Sequence, residues 1–114
     1  MEKNIYKICP APEWAAAVDK GRYIGSKDDE RDGFIHFSCA NQLAGTLAKH
    51  FADQEDLVLI HLQADELGEK LKWETSRGGQ SFPHLYTTLD TKLAKSAQPI
   101  ALGTNGHIIP NLES

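Results

Sequence analysis

The stretch DLVLIHLQ, residues 56–63, decides how the chain is read. Its apolar run carries a single histidine and follows the polar segment ADQE, which marks it as the clearest buried strand in the sequence. On its N-terminal side strands and helices alternate, whereas on its C-terminal side strands follow one another with little helix between them. That order, β-α-β-α-β and then strands, predicts an α+β domain with two early helices and a late sheet.

The elements outward from that strand follow from local signals. NIYKIC (4–9) alternates as a strand, and Pro10 and Pro12 open the helix EWAAAVDKG, which stops at Gly21. RYIGSKDDERDG (22–33) is polar and glycine-bounded and reads as a loop. FIHFS (34–38) is a strand, and Ser38 is placed to cap the helix CANQLAGTLAKHF (39–51). In that helix Leu43, Leu47 and Phe51 recur at spacing four, with Ala40, Ala44 and Ala48 beside them, and make one buried face. Beyond residue 63, ADELGEK reads as a turn or one short helical turn starting near Asp65, LKWETS as a strand, RGGQSFP as a flexible loop and HLYTTL as a strand or extended segment. DTKLAKS reads as a short helix. PIALG and GHIIP form a terminal hairpin that turns near Asn105-Gly106.

The chain has 114 residues, which suits one domain over 1–114 with a single modest core. Its net charge of −4 argues against nucleic acid as a global partner, since no basic field surrounds the molecule. No run of about 18 apolar residues is present, so no membrane partner is expected. The N-terminus lacks the apolar core of a signal peptide, and the expected location is the cytoplasm. There Cys9 and Cys39 are expected as free, partly buried thiols. The acidic run Asp28, Asp29, Glu30, Arg31 and Asp32 has no calcium-loop spacing and reads as solvated, and no metal site is expected.

Two segments carry the candidate chemistry. DGFIHFSCANQL (32–43) sets His36 and Ser38 where a strand ordinarily holds apolar side chains. KWETSRGGQSFPHLY (72–86) gathers Glu74, Arg77, His84 and Tyr86 around a glycine pair. Each has an ordinary structural explanation. A strand histidine is commonly a satisfied hydrogen-bonding group, His61 included; His107 follows a turn and reads as exposed, His50 suits a helix C-terminus, and Glu74 and Arg77 can form a surface pair. Taken together with Tyr23 and Ser26, however, they flank glycine loops or interrupt apolar strands. Arginine offers a fork of donors matched to phosphate or carboxylate, and Gly78-Gly79 lets backbone approach a ligand closely. No nucleophile elbow, P-loop, HExxH or dinucleotide fingerprint is present. The residues alone thus point to an α+β domain with a polar pocket.

GRYIGSKDDERDGFIHFS (21–38) and LKWETSRGGQSFPHLY (71–86), with GHIIP (106–110) and the opening IYKI, resemble the bacterial family known as domain of unknown function 952. The resemblance implies a fold similar to that of ADP-ribosyltransferases, a bent, split antiparallel or mixed sheet that grips NAD in its cleft. It implies catalytic roles for His36, Glu74 and His84 and ligand contacts for Tyr23, Ser26, Ser38, Arg77 and Tyr86. His36 would hold a ribose, Arg77 and His84 a pyrophosphate or acceptor phosphate, and Tyr86 an aromatic base. Glu74 would polarise a hydroxyl or orient Arg77. The implied ligand is NAD or a related small nucleotide, with NAD as substrate. One departure stands out: Glu74 precedes Tyr86, whereas the superfamily places its acidic residue last, and the only later glutamate is Glu113. That order is closer to the RNA 2′-phosphotransferase branch. A non-catalytic module for a nucleotide or anionic metabolite is the alternative. Oligomeric state, acceptor and pathway stay open.

Overall fold

A computed structural model describes residues 3–75 and 77–112, with Arg77 described in its backbone alone. Strand β1 (Asn4–Pro10) pairs antiparallel with β4 (Leu57–Gln63), which pairs with β8 (Ser96–Gly103), and β8 turns through Thr104 and Asn105 into β9 (Gly106–Ile108). The strand order of this sheet is β1-β4-β8-β9. Its two faces are both covered, so β1 is buried along its whole middle instead of alternating in and out. On one face Ile5, Cys9, Ile60 and Leu62 pack with Trp14 and Ala17 of helix α1 (Ala11–Lys20). On the other, Tyr6, Ile8, Leu57 and Leu59 meet Leu43 and Leu47 of a further helix. By strand alternation Lys7 falls on the first face, between Ile5 and Cys9, and it is buried there.

Helix α1 is the element whose sequence signals act most simply. Pro10 sits at its N-cap, and Gly21 ends it with φ 83°, donating its N–H to Val18 O at 3.1 Å. Strand β2 (Arg22–Tyr23) pairs with β7 (Leu89–Asp90). The segment expected as a loop then forms helix α2 (Lys27–Asp32). Its stability comes from a capping box: Ser26 Oγ accepts from Asp29 N at 3.1 Å, and Asp29 Oδ2 accepts from Ser26 N at 2.9 Å. KDDERD has no apolar period, so periodicity gave no sign of it.

Ser38 does not cap the third helix. Its backbone pairs with Tyr6, through Tyr6 N to Ser38 O at 2.8 Å and Ser38 N to Tyr6 O at 2.9 Å. Cys39 instead caps a 3-10 turn (Ala40–Gln42), where Gln42 Oε1 accepts from Cys39 N at 2.9 Å, and the turn leads into α3 (Leu43–His50). Leu43 and Leu47 are buried as expected, while Ala40, Ala44 and Ala48 are exposed. The apolar stripe is therefore narrower than the spacing suggested.

A second sheet is built from β3 (Ile35–His36), β6 (Ser81–Leu85) and β5 (Leu71–Thr75), in the order β3-β6-β5. Strand β6 starts earlier than its sequence suggests, taking in Ser81, Phe82 and Pro83. Pro83 donates nothing to a ladder, but its carbonyl accepts from Phe37 N at 3.0 Å. DTKLAKS yields only a 3-10 turn (Thr91–Leu93) capped by Asp90. All strand pairings are antiparallel. The molecule is thus α+β, and the two larger sheets touch at the Tyr6–Ser38 bridge and diverge beside it. Among the described residues no helix is long and apolar enough to cross a membrane.

Candidate functional site

The cleft between β1, β3, α2 and α3 has a volume of about 260 Å³. Side-chain alternation decides what enters it. In β3 and its flanks, Ile35 and Phe37 turn to the core, so Phe34, His36 and Ser38 point the other way. In β6, Leu85 faces the core, which leaves Phe82 and His84 on the cleft side. His36 and His84 are directly opposed in the β3–β6 register, and their rings meet edge-on with centroids 5.3 Å apart. Phe34 stacks on His84 at 4.1 Å and tilts against His36 at 4.6 Å and Tyr86 at 5.1 Å.

Each histidine is held by a carboxylate. His36 Nδ1 lies 2.6 Å from Asp29 Oδ1, and His36 Nε2 lies 3.0 Å from Asp32 Oδ2. Both ring nitrogens thus face carboxylate oxygens, an arrangement that only the imidazolium fills with two donors. His84 Nδ1 lies 2.8 Å from Glu74 Oε1, and the same oxygen accepts from Tyr86 OH at 2.7 Å. The hydrogen bonds from Tyr86 and His84 hold the Glu74 carboxyl below its ordinary range, and the bond to Glu74 raises the Tyr86 phenol. Burial lowers the His84 imidazole, outweighing the Glu74 carboxylate. The neutral tautomer that donates from Nδ1 then leaves Nε2 with a lone pair.

Asp29 is the centre of the arrangement and was read from the sequence as part of a solvated run. It is 2% exposed. Its Oδ1 accepts from His36 N at 3.2 Å and meets His36 Nδ1; its Oδ2 accepts from Lys7 Nζ at 2.9 Å and from Ser26 N at 2.9 Å. Burial pushes this carboxyl up, yet the His36 hydrogen bond and the Lys7 charge together win and hold it well below the usual range. Lys7 also donates to His36 O at 2.9 Å, so one ammonium joins β1, α2 and β3. Lys7, Asp29, Asp32 and Phe34 were all missed by the sequence reading. The available signal was the capping box S-x-x-D at Ser26–Asp29, together with a lysine inside an apolar strand.

The other expected site residues divide. Ser38 lines the cleft with its hydroxyl 3.0 Å from Thr46 Oγ1. Ser26 lines it too, but its hydroxyl is engaged in the helix cap. Tyr23 is not in the cleft; it is buried in the core, 6.1 Å from Trp14 with Lys7 Nζ 5.9 Å over its ring. Tyr86 is 40% exposed and sits at the edge of the aromatic cluster behind His84. Glu74 is likewise behind His84 and is directed at His84 and Tyr86. The Arg77 side chain and Glu113 lie outside the described residues. The acidic run, far from being uniformly solvated, supplies the cleft with Asp28, Asp29 and Asp32. Among the described residues no cluster of three or more metal-ligating side chains occurs.

The model of the family described as "Protein of unknown function (DUF952)" matches residues 8–97, a span that contains β3, β6 and the whole of α2. The chain belongs to the DUF952 family. Both histidines and the three carboxylates bound to them fall inside the matched DUF952 span. A crystal structure of protein CC0527 from Caulobacter crescentus is 46% identical in sequence and superposes with a TM-score of 0.88, covering 91% of each chain. The solution NMR structure of CC0527 is 46% identical with a TM-score of 0.82, covering 91% of this chain and 90% of that one. Among curated proteins none matches the chain.

Proposed function

We propose that the cleft binds NAD or a related nucleotide, and that His36 and His84 act there as a cation and a base in transfer of ADP-ribose or a phosphate-linked group. The observation that carries this reading is the contact of two histidines in one cleft, each oriented by its own carboxylate. The imidazolium of His36 suits an anionic oxygen or a ribose hydroxyl. The Nε2 lone pair of His84 suits removal of a proton from an attacking group. Sites that enclose a drug-sized ligand measure roughly 300–1,000 Å³. At about 260 Å³ the cleft takes one nucleotide half and leaves the remainder of a dinucleotide outside. Phe34 and Tyr86 extend an aromatic surface from His84 on which a base could rest. The kinship with ADP-ribosyltransferases implied by the motifs belongs to this proposal.

A specific observation favours the non-catalytic alternative. Glu74 spends Oε1 on both His84 and Tyr86, so it orients these groups instead of standing ready to activate an acceptor. Calorimetry with NAD and ADP-ribose, followed by assay of nicotinamide release, separates the readings. Transfer predicts binding of both and slow release of nicotinamide that His84→Gln abolishes. Binding without release supports the module. If neither compound binds, the nucleotide reading fails.

A further inference from the structure

Lys7, Arg31 and Lys49 line the cleft beside Asp28, Asp29 and Asp32. Three lysine or arginine cations thus face three aspartates, and an incoming anion meets little unbalanced positive charge. Two of these cations are also engaged. Lys7 is paired with Asp29 at 2.9 Å, and Arg31 reaches Asp28 and Asp32, each at 3.1 Å. His36 is bounded by Asp29 on Nδ1 and by Asp32 on Nε2. An anion can therefore gain full contact with His36 only where a carboxylate gives way.

The three aspartates are not equivalent. Asp29 is sealed in the core and satisfied by donors from three segments of chain, so it stays. Asp28 touches Arg31 on the exposed side. Asp32 sits on the cleft-facing nitrogen of His36, and its side chain is 35% exposed. It occupies the last position of α2, where a carboxylate lies at the negative end of the helix. Helix electrostatics do not hold it in place, and a partly exposed ion pair is weak. Gly33 follows in the left-handed region at φ 86°, with open space where a side chain would lie.

We infer that Asp32 is a displaceable internal anion: a phosphate-type oxyanion of the ligand takes the place of its carboxylate on His36 Nε2 and on Arg31. The inference rests on the reading of the cleft as a nucleotide site, and it makes Asp32 the residue that sets anion affinity there. Displacement exchanges one acceptor for another on the same two donors, and the repelled carboxylate swings to solvent.

The test uses inorganic phosphate and ADP-ribose as separate probes at constant ionic strength, with the full-length chain and its Asp32→Asn, Asp32→Ser, Asp28→Asn and Asp32→Asn/His36→Gln variants. Removing the competing charge is expected to tighten phosphate about tenfold in both Asp32 variants. Asp28→Asn removes an equal charge from the same cleft without freeing His36, and is expected to tighten phosphate less than about threefold. The gain should vanish in the double variant. Equal gains at positions 28 and 32 would overturn the inference in favour of a general field effect. No gain at position 32, or no phosphate binding by any variant, would overturn it as well. A phosphate gain at position 32 without ADP-ribose binding leaves displacement standing and removes the nucleotide reading. ADP-ribose binding without the phosphate gain does the reverse.

Discussion

Asp29 shows how one side chain can set the chemistry of another. Its carboxylate fixes the His36 ring through Nδ1 and the His36 backbone through N, so the imidazole has little freedom to turn. Asp29→Asn would leave the Lys7 ammonium buried beside a neutral amide, and breaking a buried pair from one side costs about 3–5 kcal/mol. Adding Lys7→Met should recover part of that loss, because the stranded charge goes with it. Urea unfolding at neutral pH measures both. The pH dependence has a definite sign. A carboxyl whose folded pKa is depressed stabilises the protein above its unfolded value of about 3.9, and the contribution disappears as pH falls towards the folded value. The gap between wild type and Asp29→Asn should therefore narrow below about pH 4, and a gap that is constant with pH would show that the charge is not what matters. At the alkaline end the same logic applies to Cys9, whose thiol burial pushes up from 9.0 to about 12. Its neutral form favours the fold up to the ordinary thiol value of 9.0, and that contribution is lost as pH rises towards the folded value. Neither cysteine is in a disulfide and both are buried, so iodoacetamide at pH 8 should modify neither in the native protein and both after unfolding, as read by mass spectrometry.

At the scale of elements, α2 is a six-residue helix with only Asp29 buried, so its cap carries unusual weight. Ser26→Ala removes the hydroxyl acceptor and should cost about 0.5–2 kcal/mol in thermal or chemical unfolding. Because Asp29, which orients the His36 ring, rides on this helix, the same change should weaken ligand binding more than an equally destabilising change in α3. Gly25 guards the same junction: φ is 110°, and a Cβ there would lie 2.7 Å from Asp29 Cβ. This helix also marks where the sequence was opaque. Leu57 to Leu62, the proline-opened α1 and the C-terminal hairpin were legible because periodicity or turn chemistry encodes them directly. KDDERD has no apolar period, and its conformation depends on a cap and on a buried ion pair with Lys7, twenty-two residues away. The candidate site was legible in part for the same reason. His36 and His84 interrupt apolar strands and so stood out, whereas Asp29 and Asp32 were hidden in a run that composition assigns to solvent. Tyr23 was misplaced because strand β2 is two residues long, too short for alternation to reveal that its ring turns to the core.

At the scale of the whole molecule, two sheets that join at one bridge produce the cleft. β1 gives one edge to β4 and bridges Ser38 with the other, and Lys7 then spans the gap to α2. The consequence is that residues forty-eight positions apart, His36 and His84, share one wall opposite α3. This wall is expected to contact an anionic nucleotide. Long-range proton–nitrogen NMR of the histidine rings during titration with ADP-ribose measures it directly, with His107, outside the cleft lining, as the internal reference. Saturable shifts of the His36 and His84 ring nitrogens along one binding curve are predicted, with His107 unmoved. Shifts confined to His107, or rings at 36 and 84 that stay fixed at saturating ADP-ribose, would contradict it.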